Sequence, residues 1–316
     1  MQLRACAYIQ LALSLTSSNM SKNVALCLSS GGSRGMAHIG AIEELQSRGY
    51  NITSVSGTSI GSLIGGIFAA GKIQEAHDWF CSLDRQQILS LTDFSFGLSH
   101  MVKGNKVLDA IKEWVPDRNI EEMEIPVAFV ATDLLNSHEV VFTKGKLFDA
   151  IRASISIPMC FEPFRYGDTL LVDGGLTNPF PLNRVKRTEG DILVGMNISA
   201  EDNMLTGGPN VPTQLPRKWR IAKIDRVNKL WGRMAKQIDE WTPQINYATL
   251  INRTIDVQIQ AGCRMMTNFC KPDVVAKMPQ NAYSTFDFDK AAEIMEKGRE
   301  LMARALDAYE LRIKNL

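Results

Sequence analysis

Twice in its first part the chain runs from a short apolar stretch into a glycine turn and straight on into a helical pattern. Val24–Ser29 leads into Gly31 and Gly32. Gly35–Arg48 follows, with apolar residues at Ile39, Ile42 and Leu45, and stops at Gly49. Ile52–Ser56 then ends in "GTSIG" and enters a small-residue helix that runs to Gly71. Apolar runs this short are strands buried on both faces, and two of them separated by a helix pair in parallel through a crossover. The pattern continues. Strand-like runs at 125–134, at "EVVFTKG", at 191–199 and at 272–278 alternate with helical segments across 72–120, at Lys146–Ser154 and from about Asp287 to Lys314. Phe161–Tyr166 and Thr169–Val172 read as a hairpin around Gly167 and Asp168. The expectation is an α/β fold with a mostly parallel sheet.

At 316 residues the chain can bury a good core, and its net charge of +1 indicates no strongly charged partner for the molecule as a whole. The cysteines (Cys6, Cys27, Cys81, Cys160, Cys263 and Cys270) form no CxxC pair and read as reduced structural thiols. No HExxH, EF-hand loop or Cys/His cluster calls for a metal, and no cofactor motif is complete. No apolar segment is long enough to span a bilayer; Ser59–Gly71 comes nearest and is too short. Residues 1–23 form an N-terminal extension. "ACAYIQLALSL" after Arg4 has the look of a weak signal peptide, but Met20 stands just before the first strand, and an over-long gene start is the preferred reading of 1–19. The expected location is cytoplasmic, peripheral to a membrane if the 217–236 segment binds one, with export by an N-terminal signal left open.

A glycine turn that opens a helix favours negative charge, either a ligand's phosphate or an oxyanion formed during a reaction. A dinucleotide site would need GxGxxG and an acid at the end of the second strand. Here Ser30, Gly32 and Gly35 hold that spacing, and the second strand ends in Gly57-Thr58-Ser59. A Walker loop would need a lysine that is absent. The second turn is G-x-S-x-G (Gly57, Ser59, Gly61) on a strand-to-helix corner, the geometry that exposes a nucleophilic serine, although a glycine-lined packing contact gives the same letters. The histidines (His38, His77, His100 and His138) all come too early for a late-chain base, which leaves a carboxylate. Asp173 follows "TLLV" and precedes Gly174 and Gly175, either as an ordinary turn or as a base facing a pocket. Asp133 is the next carboxylate to test.

"SGGSRG", "GTSIG" and "DGG" occur in that order, joined by "AHIGAIEEL", "VATDL", "IRASISIPMCFEPF" and "GLTNPFPL". Over residues 24–200 the chain resembles the patatin-like phospholipase family. The resemblance implies a three-layer α/β/α domain and a Ser–Asp dyad with Ser59 as nucleophile and Asp173 as base. It also implies an oxyanion hole of the Gly31, Gly32 and Ser33 N–H groups, supported by Arg34, Gly35, Gly57, Gly61, Gly174 and Gly175. Ser30 replaces the family's first glycine and would distort the hole if that position demanded a glycine-only conformation. Arg34 either braces the loop, the preferred reading, or holds a lipid phosphate. Residues 201–316 are expected to form a C-terminal helical region that packs on or extends the catalytic domain.

The implied activity is lipid acyl hydrolysis of phospholipids or lysophospholipids. A general carboxylesterase or an acyltransferase would use the same dyad, and a non-catalytic lipid-binding protein would dispense with it. The segment "RKWRIAKIDRVNKLWGRMAK" (217–236) places Lys223, Arg226, Lys229, Arg233 and Lys236 on one helical face and Ile224, Val227, Leu230, Trp231 and Met234 on the other. It suits either an anionic membrane surface or packing on the core. No nucleic-acid-binding fold accompanies it. Residues 72–120 and 201–260 are expected to shape the pocket mouth. The final helix, with Ala291, Ile294, Met295, Leu301, Met302 and Leu306, reads as packing. Oligomeric state is not legible.

Overall fold

The computed structural model of the chain describes residues 22–92, 105–158, 160–201, 247–285 and 287–315. The expected α/β architecture is present. Strands β1 (Asn23–Leu28), β2 (Asn51–Thr58), β3 (Val127–Asp133), β5 (Phe164–Tyr166), β6 (Thr169–Asp173), β7 (Ile192–Ala200) and β8 (Val274–Pro279) form one sheet in the order β5-β6-β3-β2-β1-β7-β8, and β4 (His138–Phe142) also pairs with β3. The centre is parallel: β1 pairs with β2 and β7, β2 with β3, and β7 with β8. The hairpin around Gly167 makes an antiparallel margin with β3. Because β8 lies in this sheet, residues 274–279 extend the same structure that begins at β1.

Alternate residues of β1 face two different cores, as the pleat of a strand buried on both sides requires. Val24, Leu26 and Leu28 join the larger core with helices α1 (Met36–Ser47), α2 (Ile60–Ala69), α6 (Leu147–Ser154) and α8 (Ala291–Lys314). Ala25 and Cys27 join a smaller core on the opposite face, with Phe180, Leu182, Val185, Leu193 and Cys263 of α7 (Tyr247–Cys270). This gives three layers. The 72–120 stretch supplies short helices α3 (Ile73–Ser82), α4 (Arg85–Thr92) and α5 (Asn105–Lys112). The basic 217–236 segment lies outside the described residues.

Both helices that leave the glycine turns stop where the sequence says they should. Gly49 and Gly71, each at positive φ, close Schellman motifs. In the first, Tyr50 N–H reaches Leu45 O at 2.9 Å; in the second, Lys72 N–H reaches Ile67 O at 3.0 Å. The final helix begins at Ala291, after a 3-10 turn at Phe288–Lys290, rather than at Asp287. It buries Ile294, Met295, Met302 and Leu306 against the larger core, with Leu301 partly buried beside them.

Candidate active site

Strand β2 runs past the expected Ser56 as far as Thr58, and Ser59 is the single residue between it and α2. To make so abrupt a corner Ser59 adopts φ 56° and ψ −125°, a conformation that a residue with a Cβ rarely takes. The corner closes only because its flanks carry no side chains. A Cβ on Gly57 would overlap the Gly61 carbonyl, and one on Gly61 would overlap the Leu28 carbonyl. Two bonds to Ser154 at the end of α6 fix the turn: Ser59 N–H donates to Ser154 Oγ at 2.9 Å, and Ser154 Oγ–H donates to Val130 O at 2.6 Å. The first turn of α2 thus points its N-terminal dipole at Ser59.

The register of β3 delivers Asp173 to this corner. Thr58 stands opposite Val130, and Asp173 stands opposite the next β3 residue, Ala131. A Cβ on Gly174 would overlap the Val130 carbonyl, so the chain can turn into the site only with glycine there. The outcome is a direct contact: Ser59 Oγ donates to Asp173 Oδ2 at 2.5 Å, and Gly175 N–H donates to Asp173 Oδ1 at 2.7 Å. Both residues are buried. Burial pushes the Asp173 carboxyl up to about 6, and the bonds from Ser59 and Gly175 pull the other way without cancelling it.

The glycine turn becomes a short 3-10 turn, Gly32–Gly35, ahead of α1. Gly32 has φ +61°, which favours glycine. Among the described residues, the Gly31 and Gly32 N–H groups donate to no carbonyl. Ser33 differs from the expectation. Its N–H is already spent on Thr285 O at 2.9 Å and its hydroxyl on Ser284 O at 2.7 Å, so it anchors the turn and offers no free donor. Arg34 is buried and donates to Ile198 O and Tyr283 O at 2.9 and 2.8 Å. It braces the loop. A Cβ on Gly35 would overlap Ile60, which packs the turn against the start of α2. Ser30 has no positive φ, so serine there does not distort the backbone in the manner feared.

Other candidates fall away on their contacts. Asp133 accepts from Leu135 N–H, Asn136 N–H, the Asn136 amide and Thr169 Oγ, and the bonds from Asn136 and Thr169 hold its carboxyl well below the usual range, so it is a turn-former and no base. His38 is buried with Nε2 on the Ser29 carbonyl at 2.9 Å, and burial lowers it to about 4. His77 pairs with Glu43 at 2.7 Å. His138 lies opposite Asp133 at the sheet margin. His100 lies outside the described residues. No group of metal-ligating side chains occurs among the described residues, and no described helix is long and apolar enough to cross a membrane. A cleft of about 920 Å³ between β8, α7 and α8, lined in part by Arg264, Lys277, Lys297 and Arg304, does not include Ser59 or Asp173. Ser154 is the functional neighbour that sequence reasoning missed; it sits in "IRAS" with nothing local to mark it.

A family model for patatin-like phospholipases matches residues 26–185. An uncharacterized NTE family protein of Mycobacterium bovis is 33% identical over 92% of this chain and 93% of its own. A patatin-like phospholipase domain-containing protein 7 of Rattus norvegicus is 26% identical over 87% of this chain and 20% of its own length. Among solved structures, VipD from Legionella pneumophila is 15% identical with a TM-score of 0.45, covering 92% of this chain and 67% of that one. The chain belongs to the patatin-like phospholipase family. Membership implies a hydrolase acting on lipid esters.

Proposed function

We propose that the protein is a serine acyl hydrolase of phospholipids or lysophospholipids, with Ser59 as nucleophile and Asp173 as base. The observation that carries this reading is the 2.5 Å hydrogen bond from Ser59 Oγ to a buried Asp173 on a strained strand-to-helix corner. Ser59 Oγ attacks the ester carbonyl while its proton passes to Asp173 Oδ2. The carbonyl oxygen gains a negative charge and accepts hydrogen bonds from the Gly31 and Gly32 N–H groups, donors of a kind worth about 3 kcal/mol each. Collapse of the intermediate breaks the bond to the leaving alcohol, which takes the proton from Asp173. Water then repeats the sequence on the acyl-enzyme and releases the fatty acid. No step calls on a metal or cofactor.

The test pairs a short-chain p-nitrophenyl ester with phosphatidylglycerol vesicles, using wild type, Ser59→Ala and Asp173→Asn. Fatty acid released from vesicles by wild type alone supports a lipid substrate. Activity on the soluble ester only would redirect the reading to a general esterase. Substantial turnover by folded Asp173→Asn would remove Asp173 from the role of base.

A further inference from the structure

Three buried polar residues stand two apart where helix α6 ends: Arg152, Ser154 and Ser156. Ser154 holds the turn at Ser59. Ser156 holds Asp173, whose N–H donates to the Ser156 carbonyl at 2.9 Å. Strand β5 pairs with β6 only from Thr169 to Leu171, so the Asp173 amide lies past the end of that ladder and finds its acceptor at the end of α6. Arg152 in turn holds Ser156. Its Nη1 donates to Ser156 Oγ at 2.6 Å, and that hydroxyl donates back to Arg152 O at 2.8 Å. Nη2 of the same guanidinium donates to Glu162 O at 2.9 Å. One planar fork thus ties both ends of the connection that leads from α6 to β5. Burial and the charge of Asp173 push the Cys160 thiol up, which places the middle of that connection near the carboxylate. The arrangement has a cost. Burial pushes the Arg152 guanidinium down and the Glu162 charge opposes it without cancelling it, whereas an apolar side chain could fill such a place with no charge to desolvate.

We propose that Arg152 is a positioning residue for the base: by tying Ser156 and Glu162 together it holds the Asp173 backbone in place beside Ser59 and keeps water away from the carboxylate. The inference rests on the reading of Ser59 as nucleophile and Asp173 as base. Arg152 touches neither the dyad nor the substrate in this scheme. It acts through Ser156, as Ser154 acts on Ser59, so one helix end sets the position of both partners. With the fork gone, the connection loosens at both ends, the Asp173 amide loses a fixed acceptor, and water gains access to the carboxyl that burial now holds up.

The test is the pH profile of p-nitrophenyl ester turnover by the full chain, for wild type, Arg152→Met, Arg152→Lys and Ser156→Ala. Met keeps the packing of the stem and removes both donors. Arg152→Met is expected to lower kcat by about tenfold to a hundredfold with KM little changed, the scale of a sub-ångström to 1 Å misplacement. Its acid limb in kcat/KM should move from near pH 6 toward about pH 4, the range of a hydrated carboxylate. Lys can reach one of the two acceptors, so Arg152→Lys should recover part of both losses. Ser156→Ala keeps the carbonyl but loses the link to Arg152, and should shift both readouts in the same direction by less. If Arg152→Met does not fold, the other two variants decide by the same readouts. A lower kcat with the acid limb unmoved means a merely structural arginine and overturns the proposal, as does a wild-type limb already near pH 4, while Ser59-dependent activity stands. A wild type that is not labelled on Ser59 by a fluorophosphonate and releases no nitrophenolate overturns the parent reading and this one with it.

Discussion

A carboxylate that takes a proton from a serine near neutral pH must give up hydration, and the burial of Asp173 sets both its reactivity and its cost to the fold. With the group pushed up to about 6, ionised base is lost as pH falls through that value, so kcat/KM for a soluble ester should show an acid limb centred near pH 6. A limb near pH 4 would mean that Asp173 is not desolvated in the working enzyme. The same shift has a stability consequence. The unfolded carboxyl ionises near 3.8 and the folded one near 6, so between these values the folded state binds more protons and stability falls as pH rises. At pH 7 the deficit is on the order of 3 kcal/mol. Asp173→Asn is therefore expected to lose ester hydrolysis yet resist urea better than wild type at pH 7, with the gain gone by pH 3. Asn can still accept from Gly175 N–H and turn its amide toward Ser59. Equal destabilisation at both pH values would contradict the raised Asp173.

At the scale of elements, the proposed nucleophile depends on a contact between α6 and the β2–α2 corner. Ser154→Ala leaves the Ser59 N–H without its acceptor in a buried place and removes a donor from the Val130 carbonyl, a loss of about 2 kcal/mol. It also frees the strained corner, and a misplacement near 1 Å can lower turnover about a hundredfold. The expected result is slower fluorophosphonate labelling and a lower kcat at a protein concentration corrected for folding; labelling at the wild-type rate would show that the corner holds without Ser154. This contact also marks where sequence reading stops. Gly57, Ser59 and Gly61 are neighbours in the chain, so the corner could be read from spacing alone. Asp173 and Asp133 look alike as letters after apolar runs, and only their hydrogen bonds separate the proposed base from a turn-former. Ser154 is 95 residues from Ser59 and reaches it through the position of α6 over β3, which no local pattern records. Ser33 departs from the expected donor role for the same reason, because its partners, Ser284 and Thr285, come from the far end of the chain.

At the scale of the molecule, the C-terminal helix is tied to the reaction centre through α1. A Cβ on Gly298 of α8 would overlap the backbone of Ala37, and one on Gly40 of α1 would overlap the Met295 carbonyl, so the two helices meet backbone to backbone. Helix α1 starts directly after the Gly32–Gly35 turn, which carries the proposed oxyanion donors. Gly298→Val must therefore drive α8 away from α1 or tilt α1 together with the turn. Overpacking of this kind costs about 1–3 kcal/mol and, in a chain of this size, lowers the melting temperature by about 1.5 °C per kcal/mol. If α1 carries the displacement into the turn, kcat falls by more than the unfolded fraction explains, while Leu311→Ala at the 63% exposed end of the same helix leaves both quantities unchanged. A Gly298→Val protein that melts lower but turns over normally when folded would show that α8 yields and α1 does not. The glycine turn would then be held by contacts such as those of Arg34, Ser33 and Ile60, which places the rigidity of the candidate oxyanion site in the loop contacts and the sheet rather than in the helical layer behind it.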